Sequence, residues 1–369
     1  MADVGFRSSV LDTAGSDDST VLSPNYSIPQ RLKCAVMVFV IQKILLTPLH
    51  LYDRLHDFLL RKNESRPSLT KSYKARPSLP VRIFLPRGHG ALKSNERLPT
   101  LLTIHGGGFV VGYPRDNDAW NSAFANHHNF LVIALNYAKA PTSPFPGPIY
   151  DLEAIIGAVL SDSSLPIDPS RVALAGWSAG GNLALAVSQL ESVRTRIRAV
   201  VPIYPVVDFV APAEIKARTR RFKPSVGGFR ARESDHLLAL TDMFSWAYVN
   251  PGLRCDHALL SPYYASRESF PRSVFLIGCE MDILGQEAWR MACKLAGREV
   301  PAVEEPMGRE EPAGKGELIL HGDERFAFEE RLDLLMDPEL MEDARIKTEK
   351  VISLVGEWLY AGPFKEVEK

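Results

Sequence analysis

Arg171-Val172-Ala173-Leu174-Ala175-Gly176-Trp177-Ser178-Ala179-Gly180-Gly181-Asn182 joins a strand pattern to a helix pattern through a glycine-flanked serine. Arg171 to Ala175 has the short apolar run of a buried strand, and the chain from Gly180 to Leu190 reads as a helix. Between them stands G-x-S-x-G. A sharp strand-to-helix turn forces its central serine into strained backbone geometry, and the small residues on either side let the chain reverse. The Ser178 oxygen then stands free above the sheet, at the positive end of the following helix. Such a string arises by chance in many proteins. The strand before it and the helix after it give it weight, against the plainer reading of a tight turn whose glycines serve packing only.

Working outward, Val81–Leu85, Thr100–Ile104, Phe130–Leu135, Ala199–Tyr204 and Ser273–Ile277 repeat the strand pattern, and Tyr150–Leu160 is helical. Short apolar runs alternating with helices predict an α/β fold: a mostly parallel sheet with helices on both faces. The flanks read differently. Residues 1–30 are rich in Ser, Asp, Thr and Pro and are expected to form a disordered or loosely attached tail. Residues 31–62 read as one or two helices broken near Pro48, and 64–80, with three prolines, as an extended connector. The segment 31–80 is thus expected to supply N-terminal cap helices and a linker. Residues 208–250 break the alternation and are too long for a connecting loop. They are expected to be a cap insertion, which leaves 81–207 and 251–369 as the core.

A second motif, His105-Gly106-Gly107-Gly108-Phe109, also follows a strand. Acyl transfer passes through a tetrahedral intermediate bearing a negative oxygen, and backbone N–H groups aimed at that oxygen stabilise it. A glycine run lets the backbone approach a substrate without side-chain clash. Gly107, Gly108 and Ala179 are candidate N–H donors of such an oxyanion hole, with Gly106 as a further candidate. His105 reads as a residue that fixes the loop and not as a base. The plainer reading is a flexible glycine loop.

With these residues in hand, the chain resembles the hormone-sensitive-lipase group of α/β-hydrolases, which also includes microbial esterases. The resemblance rests on His105–Phe109, Tyr137-Ala138-Lys139-Ala140-Pro141, Pro144-Phe145-Pro146, Asp151, Gly176–Asn182, Ser261-Pro262-Tyr263-Tyr264-Ala265 and Gly278–Leu284. They come in the family's order, over about residues 80–300. The resemblance implies an α/β-hydrolase fold with an eight-stranded core, a helical cap, no metal and no dissociable cofactor. Trp177 departs from the aspartate often found there, a change expected to alter the pocket wall and to leave the elbow intact.

The same resemblance places the catalytic acid in a D-x-L setting, here Asp282-Ile283-Leu284, just past the strand Ser273–Ile277; Glu280 is the alternative. The acid would orient a histidine and stabilise its positive charge. After Asp282 the chain holds one histidine, His321, following Glu317-Leu318-Ile319-Leu320, the candidate final strand. Its context departs from the family, where the histidine precedes Gly-Phe or Ala-Phe and an acid. Here that look belongs to Phe326-Ala327-Phe328-Glu329, with Phe326 at the histidine's place. Either His321 is the base in a rearranged loop, or the family's histidine segment is lost or altered.

The expected activity is therefore serine-dependent hydrolysis of a small carboxylic ester through an acyl-enzyme on Ser178, with Asp282 and His321 completing the triad. The alternatives are a catalytically impaired ligand-binding protein on the same fold, and a pathway-specific lactone or acetyl-ester hydrolase. Composition agrees with a small uncharged substrate: 43 basic and 44 acidic residues give a net charge of −1 over 369 residues, with no field to attract nucleic acid. The nine histidines show no H-E-x-x-H spacing. Cys34, Cys255, Cys279 and Cys293 show no C-x-x-C spacing and read as buried, reduced thiols. The polar, acid-bearing N-terminus lacks the pattern of a secretory signal, so a cytoplasmic location is expected, with membrane association as the alternative. The apolar run from Cys34 is interrupted by Gln42, Lys43 and Pro48 and falls short of the ~20 residues that span a bilayer. It is expected to pack as a cap on the protein's own body, with membrane-surface contact by residues 34–52 as the alternative.

Overall fold

The computed structural model describes residues 21–49, 51–52, 65–88, 96–221, 237–279, 281–305 and 338–365. Among them, seven strands form one sheet: β1 (Leu69–Tyr73), β2 (Arg76–Phe84), β3 (Leu98–Ile104), β4 (Leu131–Leu135), β5 (Ile167–Trp177), β6 (Ala199–Ile203) and β7 (Ser273–Val274). Their order is β1-β2-β4-β3-β5-β6-β7. β1 and β2 form an antiparallel hairpin, β2 pairs antiparallel with β4, and the remaining pairs are parallel. The eighth strand expected at 317–320 lies outside the described residues.

The helices are α1 (Ile28–Phe39), α2 (Asp118–His128), α3 (Gly147–Leu160), α4 (Ala179–Ser188), α5 (Ala213–Thr219), α6 (Leu238–Tyr248), α7 (Gly285–Leu295) and α8 (Pro338–Ala361). Successive strand residues point to opposite faces, so neighbours in sequence join different cores. Ile83, Leu102 and Ile133 enter a core shared with Ile155 of α3 and Leu183 of α4. Phe84, Leu101 and Val132 enter a second core with Phe124 of α2 and Val355 of α8. β3, β4 and β6 are buried along their whole length, which accounts for their unbroken apolar runs.

The expected connector at 64–80 contains β1 and the first half of β2. Pro77 and Pro80 obscured it. Over 76–81, β2 pairs with β1 alone, so its other edge is open, and a proline there costs no ladder bond. Arg76 ties the hairpin inward through its Nε, which donates to Asp151 Oδ1 of α3 at 2.5 Å.

The tail expected over 1–30 is anchored from residue 21 onward. Leu22 bridges Arg254, the Cys255 N–H donates to the Val21 carbonyl, and Ser23 Oγ donates to the Asn250 carbonyl at 2.6 Å. α1 then runs on through a π-turn (Val40–Leu45), so the helix extends unbroken over Ile28–Leu49. Gln42 and Lys43 interrupt the apolar pattern without ending the helix, which reaches Leu49, just past Pro48, and is long and apolar enough to cross a membrane. One face of it packs on α6 and buries Cys34 and Val38. From this face Gln42 Nε2 donates to the carbonyls of Val110 at 2.8 Å and Ala140 at 3.0 Å. Among the described residues no other hydrogen bond reaches either carbonyl. Gln42→Ala is expected to lower stability by roughly 1–3 kcal/mol, read from urea unfolding. An unchanged midpoint would show that the tie is idle.

Candidate active site

The elbow begins where β5 ends. Ile104 of β3 stands opposite Gly176 of β5, and Trp177 opposite Ile203 of β6, so three parallel strands finish at one edge. Ser178 follows with φ 53° and ψ −119°, a left-handed conformation that few non-glycine residues adopt. Its N–H donates to the Ile203 carbonyl at 2.9 Å, and its carbonyl accepts from the Asn182 N–H as α4 starts. Ser178 is part-exposed between two buried neighbours, Trp177 and Ala179. The glycines of the motif are there for space: a Cβ on Gly176 would lie 2.2 Å from the Gly180 carbonyl oxygen, and one on Gly180 would lie 2.2 Å from that of Ile104. The strained turn closes only because both are bare.

The loop after β3 lies alongside. A Cβ on Gly106 would sit 3.4 Å from Ser178 Cβ. The Val110 and Val111 N–H groups both donate to the Gly107 carbonyl, curling the loop over itself. Gly107 and Gly108 take φ of 112° and 56°. Among the described residues, the N–H groups of Gly107, Gly108 and Ala179 donate to no backbone carbonyl. Ala179, first in α4, has no acceptor within its own helix. Free backbone donors therefore flank Ser178 on two sides, from the loop and from the helix end.

The back of the loop is held by a buried aromatic and charged group. His105 stacks on Tyr137 with ring centroids 4.5 Å apart, and its Nδ1 lies 2.8 Å from the Gly106 carbonyl. Burial, and then the nearby Lys139 cation, hold the His105 imidazole well below its ordinary range, so it is neutral. This is the loop-fixing position expected of it. Lys139 lies 3.8 Å above the Tyr137 ring and donates to Asn136 Oδ1 at 3.1 Å. Burial pulls its ammonium down to about 7, against the opposing pull of Asp116 and Asp151.

The front wall was not legible in the sequence. Phe244 of α6 lies against Gly108, where an added Cβ would meet its ring at 2.5 Å. One turn on, Tyr248 stacks on Phe109 at 3.7 Å. Two aromatics four residues apart on one helix, Phe244 and Tyr248, were the available signal; what the pair faces was not readable. Trp177, expected at the pocket wall, instead fills the second core, edge-on to Trp120 at 4.9 Å.

Asp282 lies on the loop that follows β7. The extended backbone continues to Ile277, which bridges Ile203, so this loop leaves from the same sheet edge as Ser178. Asp282 is buried, and its Oδ1 accepts the Leu284 N–H at 3.0 Å. Glu280, His321 and Phe326–Glu329 lie outside the described residues, as does the geometry of His321 with Asp282 and Ser178. Among the described residues, no cluster of metal-ligating side chains occurs.

A family model for the alpha/beta hydrolase fold matches residues 101–307. The chain belongs to that family. An esterase of the archaeon Pyrobaculum calidifontis is similar in fold, at TM-score 0.61 and 21% identity, with 92% of this chain and 100% of that chain covered. Arylacetamide deacetylase-like 2 of Homo sapiens is 31% identical over 190 residues, 49% of this α/β-hydrolase and 43% of the human chain. An arylesterase of Saccharolobus solfataricus is 34% identical over 131 residues, 35% of this chain and 41% of its own. The α/β-hydrolase thus spans about two-fifths of the length of these two relatives.

Two expectations follow from the loop. Gly108→Ala adds a Cβ both to a left-handed backbone and to the Phe244 ring, and is expected to cost roughly 1–3 kcal/mol. Adding Phe244→Leu should recover the part due to the ring, visible as coupling in a double-mutant cycle of urea midpoints. For Lys139 the folded value lies below the unfolded one, about 7 against 10.5. Its contribution is complete above 10.5 and is lost as pH falls through about 7, so stability should rise with pH across that window. Lys139→Met should flatten the rise; an unchanged slope would assign it to other groups.

Proposed function

We propose that the protein hydrolyses small carboxylic esters through an acyl-enzyme on Ser178. The observation that carries this reading is the part-exposed Ser178 in its left-handed turn, flanked by the unpaired N–H groups of Gly107, Gly108 and Ala179. Ser178 Oγ attacks the ester carbonyl and gives its proton to the base, for which His321 is the candidate. The three N–H groups receive the oxyanion, with Gly106 beside them, each donor worth about 2.7–4 kcal/mol in comparable sites. The base returns the proton to the departing alcohol, then activates the water that releases the acid. Asp282, at the same sheet edge, holds the base in register. The names of the relatives, an arylesterase and an arylacetamide deacetylase-like protein, support an acyl-transfer reading.

The apolar rings along the front wall support an uncharged substrate, with half-buried Phe244 and buried Tyr248 against the glycine loop. The departure around Phe326 keeps a second reading in play, a hydrolase-fold protein that binds its ligand without turnover.

The decisive measurement is hydrolysis of a chain-length series of chromogenic esters. Ser178→Ala should lower kcat/KM by roughly 10³-fold or more and abolish labelling by a fluorophosphonate probe. His321→Ala should do the same to turnover, and Asp282→Asn should lower kcat by about 10⁴-fold. Undiminished turnover in His321→Ala would assign the base elsewhere. No turnover by the unaltered protein, with ester binding retained, would favour the binding protein.

A further inference from the structure

The helix that buries Cys34 and Val38 turns its opposite face to solvent, and that face is apolar. Ile28 is 82% exposed, Leu32 65% and Phe39 58%, with Val36 between them. Spacings of four, four and three place these residues on one stripe. Ile44 and Leu45, within the π-turn, are exposed as well. A contiguous apolar surface of this kind is rare on a protein that meets only water.

Charge decides between occupants. Residues 28–52 contain Arg31, Lys33 and Lys43 and no aspartate or glutamate. All three cations are exposed, and on a helical projection Arg31 and Lys33 fall on either side of the stripe. A second copy docked about a two-fold axis would bring like charges together along the whole contact. An anionic surface with an apolar interior matches both the stripe and its flanks.

We propose that this helix is an interfacial docking surface for anionic lipid. Ile28, Leu32, Val36 and Phe39 enter the boundary between headgroups and acyl chains, while Arg31, Lys33 and Lys43 meet the negative headgroups. The helix has the length to span a bilayer, but its other face is committed. Cys34 and Val38 are buried in the body, and Gln42 is bonded to Val110 and Ala140. It therefore lies in the surface plane. Its lipid face and its Gln42 face are opposite sides of one helix, about 10 Å across. The glycine loop consequently sits just beneath the bilayer surface. Docking of this kind stands whether or not the site hydrolyses esters.

The test is sedimentation of the full-length protein with vesicles of phosphatidylcholine alone and of phosphatidylcholine with phosphatidylserine. The protein should pellet with the anionic vesicles and more weakly with the neutral ones. Leu32→Asp with Phe39→Asp should weaken binding to both by roughly tenfold or more, since it removes the inserted side chains. Arg31→Ser with Lys33→Ser and Lys43→Ser should weaken only the anionic preference. At about fivefold per cation, the loss is roughly a hundredfold. Both variants should keep the parent's circular dichroism and urea midpoint. Four results overturn the proposal: no association with either vesicle, association indifferent to Leu32→Asp with Phe39→Asp, a dimer that those changes dissociate in place of vesicle binding, or protein that resists carbonate extraction as a spanning helix does.

Discussion

The parallel register of β3 with β5 is the constraint on which the site depends. Because Ile104 stands opposite Gly176, both strands end at one level, and the two chain reversals that follow occupy the same few ångströms. That crowding explains the bare positions: the Ile104 and His105 carbonyls press on Gly180, and Gly106 lies against Trp177 and Ser178. One residue of slip would turn every side chain of a strand to the other face. The two cores, which share alternate residues of the same strands, hold the register against that slip.

Given that register, the glycine loop is fixed from three directions. The His105–Tyr137 stack supports it from behind, Gln42 holds it through Val110, and α6 covers it through Phe244 and Tyr248. A loop whose donors must meet a developing charge gains from being rigid before the charge appears. The neutral His105 suits that purpose: a buried cation beside Lys139 would be costly, and a neutral ring stacks without that penalty.

Sequence reading succeeded where the local backbone makes strict demands. β3, β4, β6 and the second half of β5 are short apolar runs that few other structures suit, and the elbow and glycine loop need residue types that are visible one at a time. It failed where the partner is distant. Gln42 and Val110 are 68 residues apart, and nothing around either names the other. It failed too where a rule has a local exemption, as at Pro77 and Pro80 on an open strand edge, or at Gln42 and Lys43 in a helix that passes through a π-turn. Trp177 was misplaced because strand alternation, not proximity to Ser178, decides which side of the sheet receives the indole.

The anchoring of the N-terminal segment carries a consequence for how the chain is made. Ser23 bonds to a carbonyl 227 residues later, and α1 rests on α6, which follows it by about as much. At ribosomal rates of about 5–20 residues per second, roughly 10–45 seconds separate the synthesis of these partners. Throughout that interval the helix has neither of its seats, so both its faces are bare. The segment thus leaves the ribosome long before either of its seats, and it finds its place only after both have followed. Whatever shields it meanwhile, whether a chaperone or a nearby lipid surface, acts before the glycine loop has its final support.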